Sequence, residues 1–196
     1  AAGAKFTAIR QDDLSTFTSD LEYLIANENG EKTSEELLGG LDYERLIDDR
    51  LSWYARIDGE YDRIEGIDFR GIGAAGLGYY FLKEEEQSLR GRLGLNYRYE
   101  SRDGGNIEKL AGMEAGLAHV WKINDRLTNT NKLTWTPAFE DFGKYLLRHE
   151  SKVDIDLNKE ATWKLSMGIQ NDYNSDPPED KRELDTEYFA RLVYAW

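Results

Sequence analysis

Residues 51–61 read LSWYARIDGEY, and their side chains alternate between two kinds. The odd positions are uncharged (Leu, Trp, Ala, Ile, Gly, Tyr), whereas the positions between them carry Ser, Tyr, Arg, Asp and Glu. Residues two apart point to nearly opposite sides of a helix but to the same face of a strand. The period of two therefore predicts a β-strand with one apolar and one charged face.

The same alternation recurs along the chain. It is clearest in residues 89–99, 145–157, 163–173 and 188–196, where aliphatic and aromatic side chains alternate with charged or polar ones. Together with turn-forming residues between the segments, the pattern predicts an all-β chain. We predict eleven strands, at roughly 2–11, 15–27, 34–47, 50–62, 69–82, 88–100, 109–122, 127–138, 145–157, 162–173 and 186–196.

Two kinds of connection alternate between these segments. Short polar turns fall near residues 13, 48, 85, 124 and 159, at intervals of 35 to 39 residues. Longer polar stretches lie between them, at 27–30, 63–68, 101–108, 140–144 and 174–185. This rhythm predicts an antiparallel up-and-down meander with all short connections at one end and all long ones at the other.

Composition narrows the functional classes. The chain has 196 residues, with 25 Lys and Arg against 38 Asp and Glu, a net charge of −13. A helical membrane protein needs apolar runs of about 20 residues, and a nucleic-acid binder needs a basic face, so both are unexpected. With no cysteine, disulfides and cysteine-ligated zinc are excluded. The length fits one domain over residues 1–196, without cofactor or metal.

Alternation alone does not say which face points inward. A soluble barrel or sandwich buries its apolar face, whereas a membrane barrel turns that face to lipid. Strands of 11–13 residues suit a tilted bilayer crossing, and the chain ends on an in-register aromatic, Trp196. We therefore predict a transmembrane β-barrel in a bacterial outer membrane. The alternative is a soluble secreted or periplasmic β-barrel that binds ligands or assembles through its apolar interior.

Aromatic side chains near the strand ends support the membrane interpretation, because membrane barrels carry aromatic girdles at both interfaces. The predicted membrane-girdle residues are Trp53, Trp121, Trp163, Tyr61, Tyr97, Tyr99, Tyr145, Tyr173, Tyr188, Tyr194 and Trp196.

The charged faces would then line the lumen. Buried charges must be paired or wetted, so they could form a salt-bridge network that fills a narrow barrel, or a water path that passes small polar solutes. A filled or narrow lumen is favoured. The predicted lumen-lining residues are Arg56, Asp58, Glu60, Arg90, Arg92, Arg98, Arg148, Glu150, Lys152, Asp154 and Asp156.

Strand number gives one more expectation. Bacterial barrels usually have an even number of strands, with both termini on the periplasmic side. Eleven strands therefore predict at least one further N-terminal strand and about twelve in the complete protein.

Several motifs resemble a known family. Residues 48–51 (DDRL), 66–70 (GIDFR), 76–79 (GLGY), 94–100 (GLNYRYE) and 173–178 (YNSDPP) are similar to motifs of the YdiY-like family of outer-membrane proteins, domain of unknown function 481. The resemblance implies a porin-like barrel in the Gram-negative cell envelope. Its partners would be lipid, lipopolysaccharide and, through the C-terminal strand, the outer-membrane assembly machinery. The family has no established chemistry, so no catalytic residue is transferred.

A surface lipid hydrolase is the third hypothesis. Such enzymes use Ser, His and an acid or amide on the outer wall of the barrel. His119 and His149 both fall on the apolar face, and Ser151 follows His149 by two residues. No Asn or acidic partner follows on that face of the strand, so the sequence favours a protein that is not an enzyme.

Overall fold

A computed structural model describes residues 2–28, 31–62, 66–102, 105–158, 162–177 and 182–194. Within these ranges no helix has the length and apolar character needed to cross a membrane. The eleven strands are β1 (Ala2–Gln11), β2 (Ser15–Glu28), β3 (Glu31–Leu46), β4 (Leu51–Asp62), β5 (Ile67–Lys83), β6 (Gln87–Arg102), β7 (Asn106–Asn124), β8 (Leu127–Pro137), β9 (Tyr145–Asp156), β10 (Trp163–Asn174) and β11 (Leu184–Tyr194).

All eleven strands form one sheet in chain order, and every neighbouring pair is antiparallel. The predicted up-and-down meander is therefore confirmed. In the described part of the chain, β1 and β11 are the two edges of the sheet. The sheet curls strongly enough that Arg191 on β11, at one edge, forms an ion pair with Glu22 on β2, next to the other edge.

Several strands extend beyond their predicted bounds at the long-loop end. Strand β7 begins at Asn106 inside a stretch predicted as loop, and Arg102 pairs directly with Asn106 across the turn. The turn closes through Gly105, whose φ is 80°, a value that glycine adopts without steric cost. The polar side chains at this end belong to residues that still pair in the β-ladder. A prediction based on polarity therefore made the loops longer than they are.

Three of the short turns share one hydrogen-bonding arrangement. Asp48 Oδ1 accepts hydrogen bonds from the backbone N–H groups of Arg50 and Leu51 at 2.8 and 2.7 Å. Asp12 accepts from the backbone of Leu14 and Ser15 in the same way. Asn124 repeats the contact in the third of these turns. Each side chain satisfies backbone donors that the ladder leaves free at the turn, as Asx turns do.

The two faces of the curled sheet differ in chemistry. Large apolar side chains cover the convex face, where Ile57, Leu95 and Leu192 are 64%, 66% and 63% exposed. Charged side chains occupy the concave face, where Glu100 and Glu114 are 0% and 2% exposed. The most buried part of the molecule is therefore a charged interior enclosed by an apolar outer wall, the reverse of a soluble β-sandwich.

We predict that Asp48→Ala lowers the urea midpoint for unfolding in detergent micelles at pH 7. Its backbone hydrogen bonds hold the pKa of Asp48 below the usual 3.8, so the stabilisation is present above pH 3.8 and is lost as the pH falls through the folded-state pKa. The difference from the unsubstituted protein should therefore shrink toward zero near pH 2. Asp49→Ala, one residue along, is the control and should leave the midpoint unchanged; equal effects of both variants would contradict the role of the turn.

Candidate functional site

Ion pairs cross the interior between strands that are not neighbours. Arg92 on β6 reaches Asp42 on β3 in a bidentate contact, with N–O distances of 2.5 and 2.9 Å. Arg56 on β4 reaches Glu114 on β7, with Nε 2.9 Å from Oε2. Each contact spans two intervening strands, which is possible only on the concave side of a curled sheet. We call Asp42, Glu44, Arg56, Arg92 and Glu114 the crossing cluster.

Glu44 ties this cluster to the wall of the barrel. One carboxylate oxygen accepts a hydrogen bond from Ser52 Oγ at 2.6 Å, and the other accepts from Arg92 Nη2 at 2.6 Å and from Arg90. Glu44 is 5% exposed. A carboxylate this buried requires a positively charged partner and a hydrogen-bond donor to each oxygen, because an unpaired one costs several kcal/mol. The paired donors therefore fix the cluster in one arrangement.

Tyr54 packs beneath the guanidinium groups. Its ring lies 4.4 Å from the Arg92 guanidinium carbon, a cation–π contact, and the residue is 0% exposed. Gly94 makes room for it, because a Cβ at that position would lie 2.5 Å from the Tyr54 hydroxyl oxygen. The part of the lumen toward the short turns is thus occupied by an aromatic ring and the ion pairs of the crossing cluster.

A second charged group lies nearer the long loops. Arg70 donates to Glu100 and Glu60 at 2.7 and 2.8 Å, and Arg102 Nε lies 2.5 Å from the other oxygen of Glu100. Arg98 lies 4.0 Å from the same carboxylate. Glu100 is therefore the shared anion of three guanidinium groups on β5 and β6.

An open cavity of about 550 Å³ runs along the remaining lumen. It is lined by residues from β1 round to β11 and reaches the long-loop end at Pro177 and Arg182. Among the described residues that line it, thirteen are acidic and eight are basic, an excess of five negative charges. The cavity is therefore polar and acidic, and all five residues of the crossing cluster line it.

The predicted lumen residues occupy the concave side. Seven line the cavity, namely Arg56, Asp58, Glu60, Arg90, Arg92, Arg148 and Glu150. Arg98 lines a small adjoining void. On β9, Lys152 pairs with Asp154 and Asp156 pairs with Lys164 of β10, further toward the short turns.

Sequence reasoning missed three of the five residues of the crossing cluster, namely Asp42, Glu44 and Glu114. Asp42 and Glu44 alternate with Leu41 and Tyr43, but the mixed residues 34–40 before them hid the period. Glu114 stands as an isolated charge among Gly, Ala and Met on β7. Parity within each strand would have assigned all three to the charged face.

Most of the predicted girdle residues lie at the convex surface. Trp53, Tyr61, Tyr97, Trp121, Trp163 and Tyr188 are 39% to 80% exposed. Tyr99, Tyr145 and Tyr173 are partly exposed, and the rings of Tyr145 and Tyr173 stack with centroids 5.5 Å apart. Tyr194 ends β11, and the predicted girdle residue Trp196 lies outside the described residues.

The described ranges hold no group of three or more His, Asp or Glu residues that could bind a metal ion. Carboxylates in the lumen face guanidinium and ammonium groups instead. The chemistry that the lumen offers is electrostatic: a polar cavity lined by fixed charges.

We predict that Glu100→Gln destabilises the barrel by about 3–5 kcal/mol, because it leaves buried guanidinium groups without their counterion. Urea unfolding in detergent, followed by tryptophan fluorescence, measures the change. The matched control is Lys132→Ala: this side chain is 57% exposed and lies 3.9 Å from Glu150, so its loss should cost less than about 1 kcal/mol. A Glu100→Gln barrel as stable as the control would contradict the shared-anion interpretation.

Comparisons with solved structures agree with this geometry. A NanC porin structure superposes with a TM-score of 0.62 at 9% identity, covering 99% of this chain and 93% of the porin. The structure described as KdgM porin in complex with disordered oligogalacturonate superposes with a TM-score of 0.53 at 11% identity, covering 99% and 92%. At these identities the likeness establishes the fold alone, an antiparallel up-and-down porin-type barrel.

Sequence comparisons identify the family. The uncharacterized protein YdiY of Escherichia coli (strain K12) is 28% identical over 163 residues, which are 79% of this chain and 59% of YdiY. The chain thus spans under two thirds of that relative's length. The model of the family "Protein of unknown function, DUF481" matches residues 1–196. The predicted YdiY-like relationship is therefore confirmed, and the chain belongs to the DUF481 family.

Proposed function

We propose that this protein is a bacterial outer-membrane β-barrel that serves as a narrow passage for small cations and small polar solutes. The observation that carries the proposal is the acidic cavity of about 550 Å³ inside a porin-type fold. A barrel whose only role was structural would have no need of a wetted cavity open at the long-loop end.

The membrane assignment is supported by the convex face. In a membrane barrel the outward side chains contact lipid, so they are apolar at mid-height and aromatic near both ends. The exposed Ile57, Leu95 and Leu192 fit the apolar band, and Trp53 and Tyr61 at opposite ends of β4 fit the two girdles. On a protein surrounded by water, such a surface would promote aggregation.

The direction of selectivity is supported by the cavity charge. Fixed negative charge concentrates cations in a narrow polar lumen and repels anions. Thirteen acidic against eight basic lining residues leave a net negative field. The crossing cluster then sets the narrowest section, since its guanidinium groups span from one wall to the other.

Membrane insertion is tested by flotation. The purified full chain, refolded in detergent and mixed with phosphatidylcholine and phosphatidylglycerol vesicles, should float with the vesicles and resist carbonate extraction at high pH. It should also migrate faster on cold gels than after boiling, because a closed barrel resists unfolding by detergent. Recovery of a folded monomer in the aqueous fraction without detergent would support the soluble barrel instead.

Ion passage is tested in planar bilayers. We expect small discrete conductance steps, and in a KCl gradient a reversal potential of the sign that marks cation preference. Arg92→Ala should raise the single-channel conductance, because it removes the side chain that bridges β6 and β3, and should increase the cation preference by removing a positive charge.

The matched control is Arg45→Ala, which removes the same side chain from the exposed convex face of β3. It should leave conductance and selectivity unchanged. Silent bilayers from both the unsubstituted barrel and Arg92→Ala, despite confirmed insertion, would refute the passage and favour the filled structural barrel.

A further inference from the structure

A row of polar side chains interrupts the apolar convex face of β8 to β11. In the strand register Asn131 pairs with Ser151, and His149 pairs with Asn171, which in turn pairs with Thr186. Their convex-face neighbours Leu133 and Met167 are 42% and 41% exposed. Polar groups that face lipid are costly unless they are hydrogen bonded. The row therefore departs from the apolar pattern of the convex face, and the fold does not require it.

The row is organised by side-chain hydrogen bonds. Asn171 Nδ2 lies 3.0 Å from His149 Nδ1, and Thr186 donates to Asn171 Oδ1 at 2.9 Å. Ser151 Oγ donates to Asn131 Oδ1 at 2.7 Å. His149 and Ser151 lie two residues apart on the same face of β9. A serine, a histidine and an amide that holds the histidine are thereby brought together on neighbouring strands.

We propose that Ser151, His149 and Asn171 form the catalytic site of a lipid acyl hydrolase on the outer wall of the barrel. Ser151 is the nucleophile, His149 the general base and Asn171 the residue that orients the imidazole. This is the division of labour of serine and cysteine hydrolases, which recurs on unrelated folds and is recognised by geometry.

The amide of Asn171 can serve this role without losing a contact. For His149 Nε2 to accept a proton, Nδ1 must carry one and donate it to Asn171 Oδ1. Half a turn of the Asn171 amide achieves this, and Nδ2 then donates to Thr186 Oγ1, since a hydroxyl both donates and accepts. Both hydrogen bonds of the amide survive, and Nε2 is left with a free lone pair on the ring.

Ser151 engages the base by rotation about its χ1 angle, which turns Oγ from Asn131 toward His149. Catalytic hydrogen bonds are often unmade in the absence of substrate and form in the complex. Asn131 neighbours the nucleophile. Its Nδ2 donates one N–H to Asn129 Oδ1 at 2.5 Å, and the second N–H of that amide is the proposed donor to the developing oxyanion.

The reaction balances with water as the only co-reactant. Ser151 Oγ attacks the ester carbonyl carbon and passes its proton to His149 Nε2. The ester C–O bond breaks, and the proton moves from Nε2 to the departing alcohol, which leaves as the deacylated lipid. Water then attacks the acyl-Ser151 ester with His149 as base, and a fatty acid departs as Ser151 regains its proton.

The depth of the row bears on the substrate class. Trp135, Tyr145 and Tyr173 form an aromatic cluster with centroids 5.5 and 6.4 Å apart. Trp135 and Tyr173 flank Leu147, two residues along β9 from His149 toward the long loops. Two strand residues span about 6.6 Å, so along β9 His149 lies about 6.6 Å and Ser151 about 13 Å from the level of these interfacial aromatics. Because strands of a membrane barrel are tilted by about 45°, Ser151 then lies about 9 Å below the aromatic level, on the acyl-chain side of the ester groups of membrane lipids.

The test uses the full chain in mixed micelles with two probes, a phosphatidylcholine with a fluorescent sn-2 acyl chain and purified lipopolysaccharide. Released fatty acid is followed by fluorescence and mass spectrometry, which separates the two lipid sources. A fluorophosphonate should add to Ser151, as located by peptide mass. We expect Ser151→Ala and His149→Ala to lower turnover by ~10²-fold or more, the range of general-base contributions.

Asn171 as a positioning residue makes a distinct prediction. Asn171→Ala should lower kcat with little change in KM, and Asn171→Asp should restore much of the rate, because a carboxylate also accepts from Nδ1–H. The matched control is Ser19→Ala, a serine on the convex face of β2 paired with Leu41, and it should hydrolyse both lipids as the unsubstituted protein does.

The proposed site rests on the membrane placement proposed above. Vesicle flotation of each variant tests membrane insertion, and fatty-acid release tests catalysis, so the two proposals can fail independently. Two results would overturn the site: equal turnover by Ser151→Ala and the unsubstituted protein, or an inserted barrel that releases no fatty acid from either lipid and takes no label at Ser151.

Discussion

Pairing of charge across the lumen is the constraint on which the rest of the structure depends. Glu44, Glu100 and Glu114 are almost entirely removed from solvent, and each would cost several kcal/mol if left alone. Arginine solves the problem because its long stem and planar fork reach a carboxylate on a distant strand with two hydrogen bonds. The Arg92–Asp42 contact is such a fork. The curvature of the sheet and the ion pairs are therefore coupled: a flatter sheet would separate the partners and leave both charges buried.

The same constraint explains the small residues on the concave side. A lumen that holds guanidinium groups and an aromatic ring has little room for further side chains. Gly76 and Gly94 face one another on β5 and β6, and a Cβ at either would meet the partner strand's backbone at 2.3 or 2.4 Å. Gly76 and Gly94 thus allow close packing of β5 against β6 at one wall of the lumen.

Much of this architecture could be predicted from the sequence. A sheet with one apolar and one charged face requires apolar and charged residues to alternate along each strand, and this alternation is visible in the sequence. The strands near residues 55, 95 and 151 were recognisable from alternation alone. The strand ends were less predictable, because polar residues such as Arg102 and Asn106 belong to the ladder yet resemble a loop.

Contacts across the lumen were unpredictable for a different reason. They join β3 to β6 and β4 to β7, and no local pattern shows which arginine will reach which carboxylate. Asn171 is a similar case, since its contact with His149 follows from pairing between two strands and not from spacing along one.

The polar row on β8 to β11 is informative because alternation is otherwise so consistent. A one-residue shift in register would exchange the convex and concave sides of a whole strand, so polar residues on the convex face are not a by-product of a slipped strand. Ser151 and His149 lie in register with Leu147 and Val153 on the same face of β9. Leucine or valine at these positions would continue the apolar convex surface, whereas amides and an imidazole interrupt it. Departures from a local rule without a structural benefit concentrate at functional sites, and this row is the clearest such departure on the outer wall.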